Sequence, residues 1–261
     1  AEKSAASLPS LGTPQDHSTT NVQVQGVDEA DIVKNDGRYI YVLSGTKLVI
    51  LDAYPGDKAK ILSETAIDGN PSEVFISGDR IVVFASGGTY STPVYRSTEM
   101  GIAPPRYYRS ETHAYVYSIR NQAKPELVRD ISFSGSYYDS RMIGNRVYLI
   151  TNEPVYTYAD EIPMPVVKDE AGKTIEPKVA YFDYPFDSYT FSTISSFSLS
   201  DDSSLSAEAY LLGSTSTLYV SQDNIYMAFR RSARVPAEPV AGVDVVSQSV
   251  RVQPAEEVTA I

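Results

Sequence analysis

The chain of 261 residues contains no cysteine, no tryptophan and only two histidines. Without thiols it can form no disulfide, zinc–thiolate site or iron–sulfur cluster, and it has no cysteine nucleophile. His17 and His113 are too few for a multi-histidine metal centre. No run of 18 apolar residues is present, so nothing reads as a membrane-spanning helix. Basic residues are in deficit: 22 Lys and Arg against 33 Asp and Glu leave a net charge of −11. A phosphate backbone selects Lys and Arg, which excludes broad nucleic-acid binding. A Gly-x-Ser-x-Gly elbow, a His-Glu-x-x-His pair, a phosphate-binding loop and a dinucleotide fingerprint are all missing. Serine hydrolysis needs a base, usually histidine. His17 lies in a polar leader, and His113 opens an alternating run with Tyr115 and Tyr117, where it reads as structural. The sequence therefore leans away from an enzyme.

What is present is short-period alternation. Apolar residues make up 42% of the chain, and Tyr is conspicuous, with 20 residues against 8 Phe. The runs Arg38–Leu43, Lys47–Leu51, Arg80–Phe84 and Ala114–Ile119 are β-branched or aromatic. Each is bounded by Gly, Asp, Asn or Ser, which is the signal of strands. No stretch carries a convincing helical stripe. The chain reads as all-β.

Aligning the turns exposes a repeat. Segments 30–42, 72–84, 139–150 and 217–229 share the form strand, tight turn, strand, with Asp36-Gly37, Gly78-Asp79, Gly144-Asn145 and Asp223-Asn224 as turn cores. These residues tolerate the positive φ of hairpin turns. Each of the first three units continues with two more strands: Lys47–Leu51 and Lys60–Ile67; His113–Ile119 and Glu126–Phe133; Phe191–Leu199 and Ala207–Leu212. Four strands per unit, repeated, predict β-propeller blades. The blades fall at 28–68, 72–134, 137–213 and 216–231, giving three full antiparallel blades and part of a fourth in an incomplete ring. A β-sandwich of the same strands is the competing fold. Residues 1–19 read as a flexible leader, and 232–261 as a poorly ordered tail or a divergent strand, with Asp244–Val252 as its one candidate. An array of three and a half blades leaves two sheet faces open, so further blades or self-association are expected. Ile40, Val42, Val49 and Leu51 are assigned to one open face, and Leu218, Val220, Ile225 and Met227 to the other.

The opening segment Ser18-Thr-Thr-Asn-Val-Gln-Val-Gln-Gly-Val-Asp-Glu-Ala-Asp-Ile-Val-Lys-Asn-Asp-Gly-Arg-Tyr-Ile-Tyr-Val42 resembles that of a family of secreted prokaryotic proteins, common in archaea. Their β-propeller domain is distantly related to WD repeats. The likeness is specific in order and spacing over residues 18–68, and later repeats match in pattern more than in letters. The resemblance implies the N-terminal part of a propeller, export and surface residence. It implies no activity.

Two insertions interrupt the blades, at 86–112 and 153–190, both between a second and a third strand. They are rich in Tyr and Pro. Tyr offers a large amphipathic surface at low entropy cost, and Pro stiffens a loop before binding. Tyr90, Tyr95, Arg96, Arg106, Tyr107, Tyr108, Tyr156, Tyr158, Tyr181 and Tyr184 are the candidate ligand-binding residues, with Arg109 adding to a locally basic patch. The bland alternative is that these rings only pack the insertions down. Asp28, Glu29 and Asp31 precede the first inner strand. Carboxylates there are candidate ligands for Ca²⁺, although turn formation and amide capping explain them as well; no other cofactor is expected. Gly87-Gly88 reads as loop flexibility. The sequence thus points to a secreted or cell-surface β-propeller that binds a protein or glycan or acts as a scaffold. A propeller enzyme acting on glycans and a purely structural envelope protein are the alternatives.

Overall fold

The computed structural model describes residues 24–91, 107–156, 162–182, 186, 188–201, 204–213, 215–232 and 256–260. The leader 1–19 and the candidate strand 244–252 lie outside them. β1 (Val27–Glu29) precedes the first blade, which comprises β2 (Val33–Asn35), β3 (Tyr39–Ser44), β4 (Lys47–Asp52) and β5 (Lys60–Ala66). The second blade is β6 (Asn70–Ser77), β7 (Arg80–Ser91), β8 (Tyr107–Ser118) and β9 (Glu126–Ser134). The third begins with β10 (Ser136–Ile143) and β11 (Arg146–Val155). Three short strands follow within the second insertion, β12 (Val167–Lys168), β13 (Thr174–Ile175) and β14 (Lys178–Tyr181). β15 (Tyr189–Ser198) and β16 (Leu205–Leu212) complete the third blade. A last sheet holds β17 (Thr215–Val220), β18 (Ile225–Ser232) and β19 (Glu256–Ala260). The tail expected from 232 onward therefore returns a strand, at 256–260, to the edge of β18.

Strands within each blade pair antiparallel in chain order, the expected meander. The blades then stack in series, as in a β-propeller and not as the two layers of a sandwich. Tyr41, Leu48 and Ile50 of the first blade pack on Ile81, Val83, Tyr115 and Tyr117 of the second. Val82, Phe84 and Val116 on the opposite face of that second blade meet Val147, Leu149 and Phe197 of the third. The third blade in turn packs Ile150 and Leu212 against Met227 of the last sheet. A sheet covered on both faces needs apolar residues in both phases of the pleat. That is why Ile81-Val82-Val83-Phe84-Ala85 is continuous and all five residues are buried.

The register corrects the turn phase in two blades. Ser77 pairs with Arg80, and Ile143 with Arg146, so Gly78-Asp79 and Gly144-Asn145 are two-residue turns as expected. In the first blade Asp36 N–H donates to the Tyr39 carbonyl, which makes the turn Gly37-Arg38. The Asp36 carboxylate accepts from the N–H groups of Arg38 and Tyr39 (3.0 and 2.8 Å), holding the turn from one residue before it. In the last sheet Ser221 pairs with Asn224 and closes Gln222-Asp223. With turns matched this way, Ile40, Ile81, Val147 and Ile225 are equivalent, and the last three each start the row that faces the preceding blade.

The connections between blades also repeat. Gly69, Gly135 and Gly213 end successive crossovers. Each is followed by a β-bulge in the inner strand, at Pro71/Glu73, Tyr137/Asp139 and Thr215/Thr217. Gly69 and Gly135 have φ of 81° and 94°, and a Cβ on Gly69 would lie 2.5 Å from the Ser86 carbonyl oxygen. Only glycine lets the chain turn there while touching the next strand.

Candidate functional site

The first insertion begins as a continuation of its hairpin. β7 and β8 stay paired out to Ser91 and Tyr107, with Gly87 opposite Glu111 and Tyr90 opposite Tyr108. Gly87-Gly88 is thus strand, not a flexible loop. A Cβ on Gly88 would sit 2.6 Å from the Tyr108 ring, so the missing side chain makes room for that phenol.

Arg109, on the same extension, ties the two insertions together. Its Nε donates to Glu153 Oε1 at 2.7 Å, and its Nη2 donates to Glu153 Oε2 at 3.3 Å and to the Met164 carbonyl at 2.8 Å. Nη2 also reaches Ser134 Oγ at 3.3 Å, beside the crossover at Gly135. Burial pushes the Glu153 carboxyl up, against the downward pull of the Arg109 guanidinium. Ser134 exchanges backbone and side-chain hydrogen bonds with Val166. This seats β12 beside β9, with Val167 opposite Phe133 and fully buried. The second insertion, though it belongs to the third blade, therefore extends the sheet of the second. Its hairpin also places Glu170 3.4 Å from the buried Arg129. It then returns, and β14 runs parallel to β16 at the outer edge of its own blade.

On this framework the insertions expose Tyr108, Tyr156, Ile162, Met164, Tyr181 and Phe182, with Tyr181 the most open at 72%. Three of the candidate tyrosines, Tyr108, Tyr156 and Tyr181, are thus exposed to solvent, and the Tyr108 phenol lies over Gly88. Tyr90 and Tyr107 are placed by backbone at the end of the β7–β8 hairpin. Tyr95, Arg96, Arg106, Tyr158 and Tyr184 lie outside the described residues. The basic patch expected around Arg109 is neutralised at that residue by Glu153. Ile162 and Met164 escaped the sequence reading, although apolar residues alternating with Pro163 and Pro165 in an insertion carry the signal.

The acidic cluster lies elsewhere, on the inner edges of the blades. β1 pairs with β10, and Asp31 bridges to Val74 of β6. Lys34, almost fully buried, donates from Nζ to Asp28 Oδ1 at 2.8 Å and to the Glu29 carbonyl at 2.5 Å. Glu29 Oε1 stands 3.5 Å from Arg141, which also pairs with Asp139. The Asp31 carboxylate accepts from the Ile32 N–H at 2.7 Å. Among the described residues, no group of three His, Asp or Glu is placed to hold a metal ion. His113 sits on β8 with Nδ1 2.9 Å from Asp130 and its ring stacked on Tyr115.

Stacked four-stranded blades joined by bulged inner strands define a β-propeller. The chain belongs to the β-propeller domain family, whose pattern matches residues 17–260. It is 25% identical over 225 residues to an uncharacterized protein of Methanocaldococcus jannaschii, covering 83% of this chain and 30% of that protein. To an uncharacterized protein of Archaeoglobus fulgidus it is 27% identical over 165 residues, covering 58% of this chain and 22% of that one. The chain spans less than a third of either relative. No solved structure gives a significant match.

Proposed function

We propose that this chain is an exported β-propeller module that binds a protein or glycan partner at the cell surface through the joined insertions of its second and third blades. The observation that carries the reading is the Arg109–Glu153–Met164 junction, which fixes two separate insertions as one surface displaying aromatic and apolar side chains. Exposed aromatics on a stiff support lose little entropy on binding, and such residues supply most of the energy in recognition surfaces. The absence of cysteine and the acidic composition are compatible with export, and the reading requires no cofactor.

A glycan array and a cell-surface protein pull-down, followed by the Tyr156→Ser, Met164→Ser and Tyr181→Ser variants, test this. Loss of at least about tenfold in affinity with an unchanged melting temperature is the expected result. Equal binding by all three variants would refute the surface. Release of sugar from a bound glycan would instead make the chain a glycan-cleaving propeller.

A further inference from the structure

We infer that the junction of the first and second blades binds a primary alkylammonium group, of a free diamine or of a lysine side chain, held between His113 and Glu111. The site is separate from the exposed aromatics of the insertions. His113 Nδ1 lies 2.9 Å from Asp130 Oδ1. An ionised carboxylate only accepts, so Nδ1 carries the proton and the neutral ring leaves Nε2 as an acceptor. Nε2 faces Glu111 Oε2 at 3.9 Å, too far for a direct hydrogen bond. Two acceptors thus confront each other across a gap, and one ammonium nitrogen can stand about 2.9 Å from both. The backbone leaves room there. Gly87 pairs with Glu111, and a Cβ built on it would lie 3.7 Å from Nε2 and meet only the His113 ring within 4 Å among the described residues.

The surroundings carry negative charge without a matching cation. Among the described residues, Glu111 and Asp130 pair only with His113, and Asp68, on the crossover from the first blade, has no partner. Tyr115 and Tyr117 alternate with His113 on one face of β8, against the first blade. They are 7% and 6% exposed, yet neither hydroxyl has a hydrogen-bond partner among the described residues. Burial first, and then Asp130, Asp68 and Glu111, pushes the Tyr115 phenol up; burial, Asp68 and Asp130 push that of Tyr117 up to about 12. Both hydroxyls therefore lie in the field of the same carboxylates. Buried hydroxyls are ordinarily satisfied, so two without a partner beside unpaired acids mark a place for a ligand's N–H groups. Charge-assisted hydrogen bonds and the Tyr115 ring face both favour an organic cation. A bare metal ion fits poorly, because its oxygen ligands must converge to about 2.0–2.6 Å and no three of these groups do so.

The test titrates butylammonium, 1,5-diaminopentane and a lysine-containing peptide into the full chain and follows the His113 ring by NMR. The chain has only two histidines, so His17→Gln leaves His113 as the sole imidazole signal. All three amines should shift that signal saturably, and tetramethylammonium, which has no N–H, should not. The tighter of the diamine and the peptide identifies the source of the ammonium group. Glu111→Gln removes one acceptor's charge, and Gly87→Ala fills the gap at a strand position that tolerates alanine. Each should weaken binding at least about tenfold. No shift at millimolar amine would overturn the proposal. So would an equal response to tetramethylammonium, a stronger response to Ca²⁺ than to any amine, or unchanged affinity in Gly87→Ala.

Discussion

Arg109 on β8 of the second blade and Glu153 on β11 of the third form a two-pronged ion pair, with the shorter contact 2.7 Å. The carboxylate is nearly buried, so water does little to replace its partner. Replacing Glu153 with Gln leaves the guanidinium facing a neutral amide, and should lower stability by about 1–3 kcal/mol in denaturant unfolding. The pH dependence follows from the raised carboxyl. The folded state holds that proton more tightly than the unfolded chain does. The contribution is present at low pH and is lost as pH rises through the folded value, above the ordinary 4.5. Glu153→Gln should flatten that slope, and an unchanged pH profile would mean the carboxyl is not held this way.

The crossover glycines make a sharper test of the repeat. Gly135 has φ 94°, and a Cβ there would lie 2.9 Å from the Asn152 carbonyl carbon and oxygen. Gly69→Ala and Gly135→Ala should each cost about 1–3 kcal/mol or more through strain and displaced backbone. Gly45→Ala shares the positive φ but meets nothing within 4 Å. It should cost less than either, and equal losses at all three would show that the tight crossover contributes nothing beyond the dihedral.

These examples mark what the sequence could and could not disclose. Strands, turns and blade order were legible because alternation and Gly-Asp or Gly-Asn pairs are local signals. The phase of the first turn was not, since Asp36-Gly37 reads as a turn core whether Asp36 lies in the turn or caps it from outside. The last sheet differs from expectation for another reason, because its apolar row is the one that faces the preceding blade: Val220 and Met227, expected on an open face, are buried toward the third blade, and Tyr219 and Tyr226 are the open ones. For the candidate site, the insertions and the exposed Tyr108, Tyr156 and Tyr181 were visible as composition. The reach of Val167-Lys168 to β9 was invisible, because a strand of two residues is too short to carry a period.

Tyrosine burial predicts the alkaline behaviour. Desolvation first, and then the carboxylate of Glu73, pushes the Tyr137 phenol far above its usual range; its hydroxyl donates to that carboxylate. Tyr41 and Tyr115 are likewise raised, chiefly by burial, and Tyr117 is pushed up to about 12. Each such phenol keeps its proton in the folded state beyond the point where the unfolded chain releases it. Their stabilisation is whole below pH 10 and declines as pH climbs through the folded values. Absorbance titration at alkaline pH should show an early class of exposed tyrosines, followed by a cooperative late class that coincides with unfolding. Tyr137→Phe should lower stability by about 1–3 kcal/mol at neutral pH, because Glu73 and Ser140 lose a buried partner. A single smooth titration with no unfolding step would contradict the burial.

The pair Asp28–Lys34 should be strong where a surface pair is weak. Lys34 is 6% exposed, donates to both Asp28 and the Glu29 carbonyl, and lies 5.6 Å from the Phe75 ring centre. Asp28→Asn strands a buried ammonium, and should cost about 1–3 kcal/mol with little dependence on salt. Arg38 and Asp52 form an ion pair of similar length, but the arginine is open to water, so Asp52→Asn should produce no resolvable change. The contrast also tests the placement of the opening segment. β1 closes the inner edge of the third blade only if residues 24–31 stay down, and the Lys34 ammonium is one of the contacts that hold them. Hydrogen exchange should therefore quicken at β10 amides in Asp28→Asn and remain unchanged in Asp52→Asn. Equal exchange in both variants would mean that backbone pairing alone keeps the segment in place.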